Sequence, residues 1–390
     1  MVASLVQLQF LRISDCEELE QIIAKDNDDE KDQILSGCKK LRTLELRGLD
    51  KLTFIFTPHL AQSLVHLETL RIDRCRGLKH LIGEKDDERE VISESLGFPK
   101  LKTLSIRGCD ELEYVFPVSV SPSLLNLEEM EIIYCANLKQ IFYREEGDAL
   151  TRDGIINFPQ LGKLSLSRPK NFTAQLPSLQ VLAIEGHEEL GDFLAQLQGH
   201  TNLREIRIRA YKGAQELMQV GSFGTNRRAG HELSLLSSMV ASLVQLQSLD
   251  ISDCEELEQI IAKDNDDEKD QILSGSDLQS LCFPNLREFE ITGCNKLRSL
   301  FPVAMASGLP KLENLQVGDS SQLLGVFWQD DDASLVNVEK QMVFPNLSLL
   351  ILENLPSIVC FSLGCDDFLF PRPEMLLTVD KCPKLTTKFD

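Results

Sequence analysis

The residues that most resemble a ligand-binding set are the acidic run DNDDE at residues 26–30, which recurs at residues 264–268. Carboxylate and amide oxygens at this density are the ligands that calcium prefers. A calcium loop that begins at residue 26 needs Gly at its sixth position and a bidentate Glu at its twelfth, and the chain has Lys31 and Gly37 there. We therefore interpret the run as a solvated acidic loop, and the sequence predicts no metal site.

Other residue types that carry catalytic or cofactor chemistry form no recognisable constellation in the sequence. The six histidines have neither HxxxH nor HExxH spacing, the arrangements that place two ligands on one helix face. A phosphate-binding loop is not indicated, because Gly162-Lys163 is followed by Leu164 and lacks the upstream glycine. The sequence predicts neither an enzyme nor a bound cofactor, so a function must come from binding surfaces.

The apolar residues follow a repeating pattern, LxxLxIxxCxxL, which is first seen at Leu8, Leu11, Ile13, Cys16 and Leu19. The Cys position of the pattern and its equivalents are called landmarks below. The intervals between many neighbouring landmarks alternate near 26 and 34 residues, which is typical of leucine-rich repeats. Each unit provides one short strand with inward Leu and Ile, and neighbouring units must stack to bury them. The landmarks are Cys16, Leu49, Cys75, Cys109, Cys135, Pro169, His187, Tyr211, Cys254, Cys294, Ser320, Leu355 and Cys382.

This period predicts an α/β solenoid, a leucine-rich-repeat horseshoe with a parallel concave β-sheet and short helical or irregular convex segments. The landmark Cys is predicted to be buried, with its S–H directed to a loop carbonyl where the chain leaves the strand. Leu78, Leu81 and Ile82 are predicted to lie in a convex helical or irregular turn. Phe-Pro pairs such as Phe98-Pro99 should end that segment, because proline excludes helix at the preceding residue.

A long internal duplication organises the chain. Residues 1–37 recur at residues 239–275 with two changes, Phe10 against Ser248 and Arg12 against Asp250. Both changes fall at strand positions between the inward residues. Any binding function is therefore predicted to lie on the concave side of the strands.

The glycine-containing residues 212–238 lack the repeat frame, so they suggest a division of the array. We predict a first arc of repeats at 1–211, an irregular junction at 212–238, and a second arc at 239–390 that begins with the duplicated block. The junction is either a hinge between the arcs or a loop packed on a continuous solenoid.

The candidate partner-binding residues are the charged residues two and four positions before a landmark, because these positions lie on the concave side. They are basic toward the N-terminal side and acidic from residue 250 onward. We predict that this face binds a protein partner through Arg12, Arg47, Arg71, Arg107, Arg207, Arg209, Asp250, Glu290, Glu353 and Asp380.

The composition restricts the compartment and the class of partner. The net charge of −21 and the small number of Tyr and Trp residues disfavour nucleic acid binding. Eleven cysteines, seven of them at landmarks, favour a reducing, cytoplasmic location over a disulfide framework. No apolar run is long enough to predict a membrane span. Met1 is in register with the internal Met239, so we expect full-length relatives to have sequence before it.

With the frame, the Phe-Pro pairs and the acidic inserts, the chain resembles the leucine-rich-repeat region of plant intracellular nucleotide-binding leucine-rich-repeat disease-resistance proteins of the coiled-coil class. The strings CEELEQIIAKDNDDEKD, FPKLKTLSIRGCDELEYVFP and FPNLREFEITGCNKLRSLFP carry this resemblance. It implies sensing of a pathogen effector or a host protein, and restraint of an adjoining nucleotide-binding domain. No nucleotide-binding segment is present, so the resemblance places no ADP site on these residues.

A different class, the substrate-recognition repeats of an F-box-type ubiquitin ligase adaptor, is the alternative. Such adaptors also use cysteine-containing repeats of about 26 residues. No F-box segment precedes this array, and acidic inserts stand where that class has a regular helix. The sequence therefore favours the immune-receptor resemblance.

Overall fold

A computed structural model of the chain describes residues 8–22, 39–83, 97–143, 156–167, 174–186, 202–209, 243–255, 257, 260, 283–328, 342–362, 368–371 and 374–389. The chain forms two compact units, unit 1 at Met1–Leu179 and unit 2 at Gln180–Asp390. The acidic inserts of the sequence, at residues 24–37, 84–94, 262–275 and 329–340, lie outside the described residues.

Unit 1 consists of short strands joined by turns. In its main sheet, every described strand pairs with its neighbour in parallel and in register, in the order β1-β2-β4-β6-β8-β11. A second parallel ladder has the order β3-β5-β7-β9. The elements are β1 (Phe10–Ser14), β2 (Thr43–Arg47), β3 (Phe54–Phe56), α1 (Pro58–Ser63), β4 (Thr69–Asp73), β5 (His80–Ile82), β6 (Thr103–Arg107), β7 (Tyr114–Pro117), a 3₁₀-helix (Val118–Ser123), β8 (Glu129–Ile133), β9 (Gln140–Tyr143), β10 (Ile156–Asn157), β11 (Lys163–Ser167) and β12 (Ala174–Gln175).

Unit 2 repeats this organisation. Its main sheet has the order β13-β14-β15-β16-β18-β21-β23, again parallel and in register. Short pairs form between β17 and β19 and between β20 and β22. The elements are β13 (Val181–Glu185), β14 (Glu205–Arg209), β15 (Ser248–Ser252), β16 (Glu288–Thr292), β17 (Phe301–Pro302), a 3₁₀-helix (Val303–Gly308), β18 (Asn314–Gly318), β19 (Phe327–Trp328), β20 (Met342–Val343), β21 (Leu349–Glu353), β22 (Phe368–Leu369) and β23 (Leu376–Asp380).

The core of each unit is formed by the second and fourth residues of the main strands. In β6, for example, Leu104 and Ile106 are fully buried, whereas Thr103, Ser105 and Arg107 are not. Burying one such aliphatic side chain contributes about 1.5 to 3 kcal/mol, and only the neighbouring repeats provide the contacts. The predicted leucine-rich-repeat solenoid with its parallel sheet is therefore confirmed.

Phenylalanine rings extend through the core beside the second ladder. In unit 1, Phe56, Phe98, Phe116, Phe142 and Phe158 contact one another in sequence, with ring centroids 5.4 to 6.3 Å apart. Unit 2 has an equivalent row that includes the rings of the Phe-Pro pairs at 344 and 370. The phenylalanine of a Phe-Pro pair thus packs between repeats. The sequence prediction used only the proline of the pair and did not indicate this role.

The landmark side chain closes the turn that follows each main strand. Cys75, Cys109 and Cys294 are fully buried, and their Sγ atoms lie 3.5 to 3.7 Å from the carbonyl oxygen two residues earlier. Burial raises the pKa of the Cys75 thiol to about 11, so this thiol stays protonated and donates. Ser320 takes the same place, and its Oγ donates to Gly318 O at 2.9 Å. The predicted role of the landmark is therefore confirmed at these positions.

Residues just before the landmark adopt a left-handed conformation at every described turn, with φ between 49° and 87°. This conformation turns the residue's N–H toward the next repeat. Arg74 N donates to Arg107 O at 2.8 Å and Asp253 N to Thr292 O at 2.9 Å. The carbonyl that ends a strand thus accepts from the preceding repeat and from its own landmark Cys.

One feature of the fold differs from the sequence prediction. Leu81 and Ile82 belong to strand β5 of a parallel ladder, where a helical or irregular turn was expected. Helical turns follow this ladder instead: α1 begins at Pro58, and the Thr57 side chain accepts from Leu60 N at 3.3 Å. Two adjacent apolar residues fit either conformation, and lateral pairing with the next repeat decides it.

The predicted junction at 212–238 lies outside the described residues, so the division into two arcs stays a prediction. The boundary between the two compact units falls at Leu179 and Gln180. The strands on either side of residues 212–238, β14 and β15, pair directly in register within unit 2.

Glycine substitutions provide a graded test of the turn geometry. Gly108→Ala keeps a φ of 63° with Arg74 Cγ 3.5 Å from the new Cβ, so we expect a loss of about 1 kcal/mol. Gly293→Ala adds a 3.1 Å approach to the Asp253 backbone and should cost roughly 2 kcal/mol or more. Gly162→Ala, with contacts of 3.9 Å or longer and an ordinary φ, should not destabilise. The urea unfolding midpoint should be highest for Gly162→Ala, lower for Gly108→Ala and lowest for Gly293→Ala. Equal midpoints for the three variants would contradict this geometry.

Candidate partner-binding face

The first, third and fifth residues of the main strands form one side of each main sheet, called the open face of the unit. Their backbone groups are paired in the parallel ladder, so the side chains alone face the solvent. The core requires apolar residues only at the second and fourth positions. The open face is therefore the part of the strands that can vary without loss of the fold.

The arginines on the open face of unit 1 are bound to carboxylates of neighbouring strands. Arg12 Nε donates to Glu45 Oε2 at 2.7 Å, and Arg71 Nη1 lies 3.4 Å from Glu45 Oε1. Arg107 donates from Nε and Nη2 to Glu131 Oε2 at 2.8 and 2.6 Å. These side chains form rows of alternating charge across the strands.

The predicted basic character of this N-terminal side is therefore corrected. The described strands of unit 1 place five basic and four acidic side chains on the open face, which leaves it nearly neutral. Glu45, Asp73 and Glu131 occupy the same offsets from the landmark as the arginines, and that offset was the signal that could have revealed them. The charged residues are Arg12, Arg47, Arg71, Arg107, Lys163, Glu45, Asp73, Glu129 and Glu131.

The arginine side chains of these ion pairs are accessible to an incoming partner, whereas their carboxylates are mostly covered. The side chains of Arg12 and Arg107 are 64% and 53% exposed, and those of Glu45 and Glu131 are 14% and 21% exposed. Arg47 Nε lies 3.5 Å from Asp73 Oδ2, and both of these side chains are exposed. A partner can therefore contact the arginines while they stay bound to their carboxylates.

The open face of unit 2 is strongly acidic. Its described strands carry two arginines and seven carboxylates, so the predicted acidity of the C-terminal side agrees with the structure. Arg207 pairs with Glu205 of its own strand at 2.6 Å, and Arg209 Nε lies 3.8 Å from Asp253. The carboxylates are Glu185, Glu205, Asp250, Glu288, Glu290, Glu353 and Asp380.

Asp250 and Glu290 are direct neighbours in the register of β15 and β16. Within the described ranges, neither carboxylate forms a salt bridge. Partial burial raises the pKa of Asp250, and Arg207 and Arg209 oppose this shift. Partial burial and then the charge of Asp250 raise the pKa of Glu290. Among the described residues, Arg207 and Arg209 therefore offset the negative charge of this pair only in part.

All ten residues predicted from the sequence lie on the open faces. Nine are exposed, and Asp250 is half-buried between its neighbours. The six in unit 2 are spread over strands β14, β15, β16, β21 and β23, so the structure brings Arg207, Asp250 and Glu290 together while Glu353 and Asp380 lie further along the sheet. Their role in binding stays a prediction.

Nothing in the described residues indicates a metal or a membrane-spanning helix. No group of three or more His, Cys, Asp or Glu residues in that part of the chain is placed to hold a metal ion. The α-helix there has six residues, whereas a membrane span needs about 20. The described cysteines form no disulfide with one another.

Comparison with known proteins identifies the family. The profile described as plant disease resistance protein RPS2-like, leucine-rich repeats, matches residues 1–85, 78–174 and 266–389. The chain belongs to the RPS2-like leucine-rich-repeat family of plant disease resistance proteins. This assignment confirms the resemblance that the repeat strings indicate.

One curated relative has the same kind of name. The RPS2-like chain is similar to the probable disease resistance protein At1g12290 of Arabidopsis thaliana, at 35% identity over 109 residues. The match covers 28% of this chain and 11% of that protein, so the chain corresponds to a small part of its length.

The raised pKa values lead to a prediction about stability and pH. A carboxyl whose pKa is higher in the folded state takes up a proton on folding, so the unfolding free energy falls as the pH rises from the ordinary carboxyl range through the raised pKa. The double variant Asp250→Asn/Glu290→Gln should therefore unfold at a higher urea concentration than the original chain at neutral pH. The difference should shrink at acidic pH, where the native carboxylates become protonated.

Glu353→Gln, on the same face and exposed, is the control and should change the midpoint little. A double variant that is less stable than the original chain at neutral pH would contradict the account.

Proposed function

We propose that this chain is the sensing region of a plant immune receptor, and that its open faces bind a protein, either a pathogen effector or a host protein that an effector modifies. The family assignment and the name of the curated relative support a role in disease resistance. The chain acts by binding and not by catalysis. It works in the cytoplasm, as the free thiols at buried landmarks favour.

The observation that carries this proposal is the contrast between the two sides of one strand in the duplicated block. Leu11 and Ile13 are unchanged as Leu249 and Ile251, while Phe10 and Arg12 have become Ser248 and Asp250. Both changes lie at the first and third strand positions, on the open face. The core side is held constant by packing, so the open face is where the repeats have acquired different chemistry.

Unit 2 provides the more specific part of the surface. Asp250 and Glu290 hold adjacent negative charges whose partial burial disfavours ionisation. A partner with basic side chains would supply a counter-charge to these two carboxylates, so such a partner should bind more favourably. We therefore assign basic protein surfaces to unit 2. The paired arginines of unit 1 contribute through their exposed guanidinium groups, which can contact the partner while they stay bound to Glu45 and Glu131.

In a full-length relative, the same array restrains an adjoining nucleotide-binding domain in its resting state. This part of the proposal rests on family membership alone, since no nucleotide-binding segment is present in the chain. Co-expression with the nucleotide-binding domain of such a receptor, followed by affinity purification, tests it. A domain that is not retained by the array would count against restraint.

Proximity labelling in plant tissue tests partner binding with a matched pair of variants. The chain with Asp250→Asn/Glu290→Gln should label the partner proteins of the original chain at least several-fold less strongly. The control Asp110→Asn/Glu111→Gln removes two exposed carboxylates from a turn after β6 and should label the same proteins as the original. The urea midpoint of the first variant, which should be at least that of the original chain, distinguishes a loss of binding from unfolding.

Two outcomes would refute the proposed surface. If both variants label the same set of proteins as the original chain, the acidic pair is not part of the binding site. If the control variant loses labelling of these proteins as strongly as Asp250→Asn/Glu290→Gln does, the net charge of the chain and not the open face determines the association.

A further inference from the structure

The open face of unit 2 changes its chemistry in one direction across four neighbouring strands. The third positions of β15, β16, β18 and β21 hold Asp250, Glu290, Gln316 and Ile351. These four residues are successive partners in the strand register, so they form one continuous row. The row runs from two carboxylates through an amide to an aliphatic side chain.

The first positions of the same strands form a second row with the same order. Glu288 of β16, Asn314 of β18 and Leu349 of β21 are also register partners. β16 thus presents two carboxylates, β18 two amides and β21 two aliphatic side chains. The part of the open face formed by the first and third positions of β15, β16, β18 and β21 is called the graded surface.

The packing of the repeats does not require this order. The core takes the second and fourth positions, which are buried in all four strands. In unit 1, no described main strand has aliphatic residues at both its first and third positions. Leu349 and Ile351 are half-buried, so each keeps part of its side chain in contact with solvent. The graded surface therefore offers aliphatic area to a partner.

The acidic end of the graded surface has no basic side chain beside it on its own strands. The described open-face residues of β15, β16, β18 and β21 include neither lysine nor arginine. Arg207 and Arg209 belong to β14, and Arg207 pairs with Glu205 of that strand. The complement of the graded surface is therefore a partner with basic groups at one end and an aliphatic group at the other.

The strand spacing determines how far apart these groups must be. Neighbouring strands of a sheet lie about 4.8 Å apart, so two steps from Glu290 to Ile351 cover about 10 Å. Seven residues of an α-helix span about 10 Å and return to the same side of the helix. One helical turn similarly matches the single step from Asp250 to Glu290.

A helix also suits the contacts that this surface offers. The backbone groups of the four strands are paired in the parallel ladder, so only side chains are available. An extended segment would bring backbone N–H and C=O groups that need partners, whereas a helix bonds them internally. The helix dipole sets the direction, because its partially positive N-terminus is more favourable near the carboxylates of β15 and β16.

We propose that the graded surface binds a helical segment of a partner protein, with two basic residues one turn apart and an aliphatic residue seven positions after the second. The basic residues lie over Asp250 and Glu290, and the aliphatic residue lies on Leu349 and Ile351. This inference rests on the proposed function, because it specifies the partner of the open face of unit 2. It narrows that partner from a basic protein surface to a helix with a directional pattern.

Fluorescence anisotropy with two labelled, alanine-rich helical peptides tests the proposal on the full 390-residue chain. The matched peptide has two arginines three positions apart and a leucine seven positions after the second arginine. The shifted peptide has the same composition, but its leucine is five positions after the second arginine, on the other side of the helix. The matched peptide should bind several-fold more tightly than the shifted peptide.

Variants of the chain test whether this difference comes from β21. Leu349→Gln/Ile351→Gln should bind both peptides equally, with the affinity that the original chain has for the shifted peptide. Val343→Gln/Leu369→Gln is the matched control, since it changes two register partners of β20 and β22 that are 42% and 43% exposed. This control should keep the full difference between the peptides. Circular dichroism of each variant establishes that the repeats are folded.

Three results would overturn the proposal, and they separate it from the proposed function. If both peptides bind the original chain equally and Asp250→Asn/Glu290→Gln weakens both, the acidic surface stands and the aliphatic end has no part in binding. A preference for the matched peptide that persists in Leu349→Gln/Ile351→Gln places its leucine elsewhere. If neither peptide binds, the helical partner is wrong, and proximity labelling still decides the proposed function.

Discussion

Each repeat has an apolar side that it cannot bury alone, and the rest of the structure depends on this constraint. Leu104 and Ile106 are fully buried because the repeats on both sides cover them. The backbone follows the same rule, since the left-handed residue before each landmark sends its N–H to the carbonyl that ends the next strand. The landmark thiol donates to the same type of carbonyl, so a small buried donor suits that position better than a larger side chain.

Stacking in turn separates the positions that hold the fold from those that can bind. The second and fourth strand residues and the landmark are committed to neighbours, whereas the first, third and fifth residues face the solvent. Their charges differ between the units: the open face of unit 1 has arginines held by carboxylates, and that of unit 2 has Asp250 beside Glu290 with no salt bridge in the described chain. A protein-binding array can therefore change its ligand chemistry without disturbing the core.

The sequence predicted the strands and the landmark because one period specifies both, and a full period leaves little ambiguity. It did not predict the second ladder, since the three residues around Leu81 are too few to distinguish strand from turn without the neighbouring repeat. The open-face positions of Arg47 and Arg107 were predicted correctly from their offsets. Their electrostatic environment was not, because Asp73 and Glu131 reach them from adjacent strands.

Hydrogen exchange of the two duplicated strands tests the stacking account most directly. Strand β15 pairs with the preceding strand β14, and Ser248 N donates to Arg204 O at 3.0 Å. No described strand lies upstream of Phe10 in β1. Mass spectrometry distinguishes the peptides by Phe10 and Ser248, and the chain should be dilute enough to be monomeric. If neighbours supply the stability, amides of residues 248–252 should exchange about tenfold or more slowly than those of residues 10–14. Equal exchange in both copies would show that the strand stabilises itself and would contradict the account.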